Sequence, residues 1–240
     1  HSNYDGLNRK ISVVYPEGNQ DLIEYDSRFN PIKMTRKAKP GSALADIVVQ
    51  TGFSSDFNLP LWKEDAAGNR VTYQYDSNGN LLSSTLPKVT VNGQLVQPQS
   101  QFTYQSNGLL SSKTDAAGVV ERFTYYTNGQ LHTHKQDDGG ANLTTSYVYN
   151  NAGDISSLTN ARGKVFTYSH DSERRLVQEN DPMGGETRYE YDANGRQTMV
   201  KRKATNTYLY PSGWADTLYS YTRDDKLLSS TDPAGNTQTN

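Results

Sequence analysis

The chain of 240 residues contains no cysteine, so disulfides and thiol chemistry are excluded, although exported proteins without cysteine are common enough that the compartment stays open. Aliphatic bulk is also scarce: Leu, Ile, Val and Phe make up about 18 % of the chain. That shortage alone leans toward disorder, but disorder also expects high net charge and few aromatics. The formal net charge is only −2, which removes the electrostatic case for nucleic acid or an acidic membrane surface. No apolar run reaches the roughly 18 residues a membrane-spanning helix needs. No basic stretch followed by an apolar one opens the chain, as a signal peptide would.

What is present is tyrosine, 17 of them, and they fall at fixed spacings. The clearest stretch runs from Asp65 to Thr85. Val71, Tyr73 and Tyr75 alternate with Arg70, Thr72 and Gln74, the period-2 pattern of a strand with one buried face. Asp76 to Gly79 follows, and because Asn and Gly tolerate positive φ it reads as a hairpin turn. Leu81 to Thr85 is a second strand, and Asp65 to Gly68 is a turn linking to the previous unit. The unit is a β-hairpin of about 21 residues.

The position of Tyr75, the slot, recurs at Tyr4, Tyr25, Tyr104, Tyr125, Tyr149, His170, Tyr191 and Tyr221. Successive steps are 21, 50, 29, 21, 24, 21, 21 and 30. The step of 50 splits into 29 and 21, which places a degenerate slot at Ser54. Gly18, Gly68, Gly118, Gly163 and Gly184 each stand seven residues before a slot. Tyr73, Phe102, Phe123, Tyr147, Tyr168, Tyr189 and Tyr219 stand two before one. A low-aliphatic chain with tyrosines on such a ruler predicts an all-β array of antiparallel hairpins with an amphipathic interior, in which rings give area and hydroxyls find partners.

The motif YxYDxxGxL with DxxG spacers resembles the YD repeat of Rhs proteins, also found in shell subunits of insecticidal toxin complexes and in teneurins. The resemblance covers essentially all 240 residues. Tyr25-Asp26, Tyr75-Asp76 and Tyr191-Asp192 keep the eponymous dipeptide, as does Tyr4-Asp5. Gln105, Tyr126, Asn150 and Thr222 replace the Asp elsewhere, and His170 replaces the Tyr before Asp171. The structural repeat positions are therefore Tyr4, Asp5, Tyr25, Asp26, Gly68, Tyr73, Tyr75, Asp76, Gly79, Tyr104, Gly118, Tyr125, Tyr149, Gly163, His170, Asp171, Gly184, Tyr191, Asp192 and Tyr221.

The resemblance implies a spiralling, shell-like β-sheet, one array over residues 1–240, cut at both ends from a longer one. It implies a non-enzymatic wall segment of a hollow shell that encloses a C-terminal toxic effector. Its partners would be the rest of the shell, the toxin cargo, and secretion or toxin-complex subunits, with no nucleic acid and no membrane insertion. The protein would be secreted or exported to the cell surface, with no cofactor. The alternative is an adhesive module that recognises glycan or a cell-surface protein through a sheet face or the long hairpins.

Several local features carry expectations of their own. Phe29, Asn30 and Pro31 in place of Gly, Asn and Leu predict a different turn in the second unit. Lys33, Arg36, Lys37 and Lys39 read as a strand end whose cations discourage edge pairing, rather than as a contact for an anionic surface. Ile47 to Val49 predicts a strand, and Trp62 is expected to pack between units. Val89 to Val96 predicts a projecting hairpin turned at Asn92-Gly93. Lys201 to Lys203 with Tyr208, Tyr210 and Trp214 has the composition of a single-strand nucleic-acid contact, but a long hairpin turned at Pro211 to Gly213 explains it more simply.

His132 and His134 share a strand face near Asp137 and Asp138, and a third convergent metal ligand is not visible. Asp76 to Gly79 and Asp192 to Gly195 resemble calcium loops but have their Gly at the wrong position and no closing Glu. Asp181-Pro182 and Asp232-Pro233 resemble a self-cleavage site superficially. They occupy ordinary DxxG turns. The four slot tyrosines Tyr75, Tyr125, Tyr149 and Tyr191 are expected to stack on one another in register.

Overall fold

The computed structural model describes residues 1–206 and 208–240. All regular structure among them is strand, and the chain divides into two compact units, His1–Arg122 and Phe123–Asn240. The first contains β1 (Ser2–Tyr4), β2 (Lys10–Val14), β3 (Gln20–Tyr25), β4 (Pro31–Lys37), β5 (Ile47–Phe53), β6 (Pro60–Glu64), β7 (Arg70–Tyr75), β8 (Leu81–Thr85), β9 (Val89–Val91), β10 (Gln94–Val96), β11 (Gln99–Tyr104), β12 (Leu110–Thr114) and the start of β13 (Val120–Tyr125). The second continues with β14 (Leu131–Gln136), β15 (Leu143–Tyr149), β16 (Ile155–Thr159), β17 (Val165–His170), β18 (Leu176–Asn180), β19 (Glu186–Tyr191), β20 (Gln197–Lys203), β21 (Trp214–Tyr221), β22 (Leu227–Thr231) and β23 (Thr237–Thr239).

Each unit is an antiparallel meander in which a strand pairs with its sequence neighbours. Tyr73 faces Ser84 between β7 and β8, and Tyr189 faces Val200 between β19 and β20. The exception is the β9–β10 hairpin, a separate two-stranded sheet that interrupts the path from β8 to β11, which pair directly.

The alternating residues give alternating exposure: β7, β11 and β17 each read exposed, half-buried, exposed along their length. The sequence pattern implied a buried face, and the structure corrects this to a half-buried one. Val200 is the buried apolar residue among the described residues, and Ser12, Asp21, Thr35, Thr51 and Ser83 are the buried polar ones. With so little aliphatic side chain, burial comes from rings and alkyl stems lying along a single layer of strands. Trp62 shows how: its indole lies over Gly52 on the paired strand, where a Cβ would collide with the ring, and Arg70 covers the other side at 4.1 Å.

The cations of β4 do not guard an open edge, because β4 pairs with both β3 and β5. They are ion-paired instead: Lys33 with Glu24 at 2.8 Å, Arg36 with Asp21 at 2.8 Å, Lys37 with Asp46 at 2.7 Å and Lys39 with Glu17 at 2.5 Å. Cross-strand placement of opposite charge replaces the expected negative role.

Candidate functional site

The recurring chemistry lies at the turn that follows each slot. In the turn after Tyr75, the Gly79 N–H donates to the Asp76 carbonyl at 3.1 Å and the Asp76 N–H to the Asn80 carbonyl at 2.9 Å. Asp76 Oδ1 accepts the N–H groups of Asn78 and Asn80, and Oδ2 accepts the Asn80 side-chain amide at 2.9 Å. The carboxylate is thus filled by the turn it closes, which leaves it little capacity for a cation. Only Gly79 of the turn residues has positive φ, at 83°. Asn78 does not, so the Asn-Gly pair acts differently than the sequence suggested: Asp76 anchors the turn and the glycine supplies the left-handed step.

Asp192 repeats the arrangement with Arg196 in place of Asn80, accepting its Nε at 2.7 Å, and so does Asp171 with Arg175 at 2.7 Å. The Arg196 guanidinium holds the Asp192 carboxyl below the usual carboxylate range, and the Asn80 amide does the same for Asp76. The linking turns use the same chemistry: Asp65 Oδ1 accepts Ala67 and Asn69 N–H groups. Asp181 accepts Met183 and Gly185, and Asp232 accepts Ala234 and Asn236, so the two Asp-Pro pairs sit in turns of this same kind.

The second unit's turn does not differ as expected. The Phe29 N–H donates to the Asp26 carbonyl at 3.1 Å, and Phe29 takes the glycine's conformation with φ at 70°. Arg9 lies 5.0 Å from the Phe29 ring, a contact a glycine would lack. Asn8, Arg174 and Asp225 also occupy the glycine position at φ of 60°, 66° and 63°.

The slot residues Tyr4, Tyr25, Tyr75, Tyr104, Tyr149, Tyr191 and Tyr221 sit at a register shift just before their turns. The shift falls between Gln74 and Tyr75, between Glu190 and Tyr191, and between Ser220 and Tyr221. Such a bulge re-aims a side chain relative to a regular strand. At Tyr75, Tyr149 and Tyr191 the ring does not stack on another slot tyrosine. Slot hydroxyls instead donate to a backbone carbonyl of the preceding hairpin, that of the residue opening its second strand. Tyr25 reaches Lys10, Tyr75 reaches Pro60, Tyr104 reaches Leu81, Tyr149 reaches Leu131, Tyr191 reaches Leu176 and Tyr221 reaches Gln197, at 2.8–3.0 Å.

Over three of these rings lies the arginine of the preceding turn: Arg9 on Tyr25 and Arg175 on Tyr191 at 4.8 Å, and Arg196 on Tyr221 at 5.1 Å. Asp, Arg and the next Tyr therefore form a chain of contacts from one hairpin to the next. Partial burial raises the phenol pKa of Tyr75, Tyr104, Tyr149 and Tyr191.

The slot assigned to Ser54 belongs to Phe53. The register shift lies between Gly52 and Phe53, and Ser54 takes the Asp position, its Oγ accepting the Phe57 and Leu59 N–H groups. This turn closes from Ser54 N–H to the Leu59 carbonyl and is one residue longer than that of Asp76 to Asn80, which displaced the ruler by one. His170 fills a tyrosine slot with the same register shift, but its buried Nδ1 has no hydrogen-bond partner.

His132 and His134 serve as aromatic surface. His134 stacks on Phe123 at 4.7 Å and 7°, and His132 lies 4.5 Å from Tyr126. Among the described residues no group of three or more His, Cys, Asp or Glu is placed to hold a metal. Near Lys201 to Lys203, Lys201 pairs with Glu190 at 3.3 Å, and Trp214 is covered by Arg188 at 4.7 Å. Sequence reasoning located the Asp-Gly turns and linking glycines but put one slot at Ser54 in place of Phe53 and expected a different turn at Phe29. It missed the bulge, the hydroxyl latch and the arginine cover, whose visible signal was Arg or Asn recurring four residues after the turn Asp.

These features define the class: an antiparallel hairpin-repeat protein in which six slot tyrosines are latched to the hairpin before. The RHS Repeat family description matches residues 63–88, 149–184 and 175–207, so these stretches are similar to that repeat. A tRNA3(Ser)-specific nuclease WapA of Bacillus spizizenii is 27 % identical over 209 residues, covering 82 % of this chain and 8 % of the relative. A double-stranded DNA deaminase toxin A of Burkholderia cenocepacia is 31 % identical over 156 residues, covering 58 % of this chain and 10 % of the relative. The crystal structure of TcdB2-TccC3-Cdc42 matches with a TM-score of 0.76 at 17 % identity, over 96 % of this chain and 13 % of that one. The chain thus spans about a tenth of the length of the relatives it matches.

Proposed function

We propose that the chain is a wall segment of a hollow RHS-repeat shell that encloses a C-terminal toxic effector and helps deliver it. The observation that carries this reading is an antiparallel meander latched by slot tyrosines from one hairpin to the next, with Val200 the buried apolar residue and no metal-holding group among the described residues. Such a meander has the properties of a partition: continuous pairing admits no protease, and faces of Tyr, Ser, Thr and Asn present few large apolar patches to trap an unfolded cargo.

The names of the relatives support the reading, since a nuclease and a deaminase toxin share this region as a small part of much longer chains. The likeness in fold to a chain of the TcdB2-TccC3 structure supports a role beside toxin-complex subunits. Secretion or display at the cell surface follows from the same reading.

Limited proteolysis of the full-length parent tests it. The segment after the array is expected to resist protease in the intact parent and to be digested rapidly in a version lacking residues 65–200. Equal digestion rates in the two would refute enclosure and favour adhesion.

A further inference from the structure

We infer that Asn92 is a site of spontaneous deamidation, and that the other four Asn-Gly pairs of the chain are protected from it by the repeat turn. The chemistry needs no enzyme. The backbone nitrogen of the following glycine attacks the asparagine Cγ, losing its proton to water. The new N–C bond closes a five-membered succinimide as the Cγ–Nδ2 bond breaks and ammonia leaves. Water then opens the ring at either carbonyl, giving aspartate or its β-linked isomer. The step requires the glycine nitrogen to be free and the backbone to rotate.

Asn78-Gly79, Asn107-Gly108, Asn128-Gly129 and Asn194-Gly195 meet neither requirement. Each glycine N–H is already committed to the carbonyl three residues earlier: Gly79 to Asp76 at 3.1 Å, Gly108 to Gln105 at 2.9 Å, Gly129 to Tyr126 at 2.9 Å and Gly195 to Asp192 at 3.0 Å. These turns also join strands held in a many-stranded sheet, so exposing the nitrogen means opening that sheet locally.

Asn92-Gly93 differs on two independent counts. It is a two-residue turn with both residues left-handed, φ 49° and 77°, and neither the Gly93 N–H nor the Asn92 side chain has a hydrogen-bond partner. The turn also closes a sheet of only two strands, three residues each, all exposed. An isolated two-stranded hairpin is marginal in water, so β9 and β10 open often and give the backbone the rotation that cyclisation needs. The product adds a negative charge at the tip, and the β-linked isomer adds one atom to the backbone of the turn.

The test is to incubate the folded protein in mildly alkaline buffer and follow all five sites by peptide mapping with mass spectrometry. Asn92 is expected to convert at least about tenfold faster than Asn78, Asn107, Asn128 and Asn194, and to give both isomers. The same incubation in concentrated urea is expected to bring the five rates together, and Asn92→Gln to abolish the main acidic charge variant. Similar rates in the folded protein would overturn the proposal. So would a gap between Asn92 and the rest that persists in urea, since the difference would then lie in neighbouring residues and not in the turn.

Discussion

At one end of the strands the loop from Asp76 to Asn80 and the loop from Asp192 to Arg196 make the same backbone hydrogen bonds to their Asp in different units. At the other end the loops run from the four-residue turn at Asp65 to Gly68, through residues 137–142 and the described residues 204–206 and 208–213, to the 86–98 segment that carries a sheet of its own. The slot turns tolerate one extra residue, in the Ser54 turn, and even there Tyr75 still finds the carbonyl of Pro60. The linking side has no latch, and there the chain accepts insertions. What fixes the repeat is therefore not the length of the unit but a bond that leaves one hairpin and lands on the previous one. The sequence separation of that bond varies from 15 for Tyr191 to 24 for Tyr221, while its length stays at 2.8 Å.

Acid should act on the turns together and produce the largest effect. The Asn80 amide and the Arg196 guanidinium hold the Asp76 and Asp192 carboxyls below the ordinary aspartate range. Their contribution is therefore present above that range and lost as pH falls through the lower, folded one. The melting temperature is expected to hold from neutral pH to about pH 5 and then to fall steeply below 3.8. Circular dichroism melts across this range check it. A flat profile down to pH 2 would mean that the turn carboxylates hold nothing together (about two units below an ordinary Asp).

Next comes the latch. Tyr75→Ala removes a half-buried ring and a hydrogen bond, with an expected cost of about 2 kcal/mol. Tyr75→Phe removes the hydroxyl alone, at about 1 kcal/mol. Urea titration of both variants divides the latch from the packing. If the Phe variant matched the parent, the difference between the two strand ends would rest on turn chemistry only.

A smaller effect is expected in alkali. Burial, with the hydrogen bond to Glu179, pushes Tyr189 up to about 12. The unfolded tyrosine ionises first, so this contribution is complete below pH 10 and lost as pH rises through 12. Ultraviolet titration should show a late-ionising phenol that Tyr189→Phe removes.

The all-strand architecture and the turn positions were legible in the sequence because both are local: period 2 within a strand, and Asp, Asn and Gly at fixed offsets. Trp62 and the Asn92-Gly93 hairpin were legible for the same reason. The tyrosine hydroxyls were not, because their acceptors are backbone carbonyls, which have no residue type to read. Ser54 misled because a ruler of 21 cannot see an added turn residue, whereas the register shift at Phe53 does. Phe29 misled because a bulky residue at positive φ argues against a tight turn, and its contact with Arg9 comes from another hairpin.

The smallest effect should come from the largest insertion. Every residue of β9 and β10 is exposed, Leu95 at 66 %, and the two strands pair only with each other. On the other side, β8 and β11 already pair directly through Ser84 and Ser100, and Tyr104 already reaches the Leu81 carbonyl. Replacing residues 87–97 by a short turn therefore removes none of the strand pairing or hydroxyl latches of the surrounding meander. The loop that closes becomes shorter, which slightly lowers the entropy cost of folding, while a few partial contacts of Leu86 and Pro98 are lost. The expected change in unfolding free energy is within about 0.5 kcal/mol of zero, read by the same urea titration used for Tyr75→Phe. A loss as large as that of Tyr75→Ala would mean that the projecting hairpin supports the sheet, and that the two strand ends differ in shape but not in their contribution to stability.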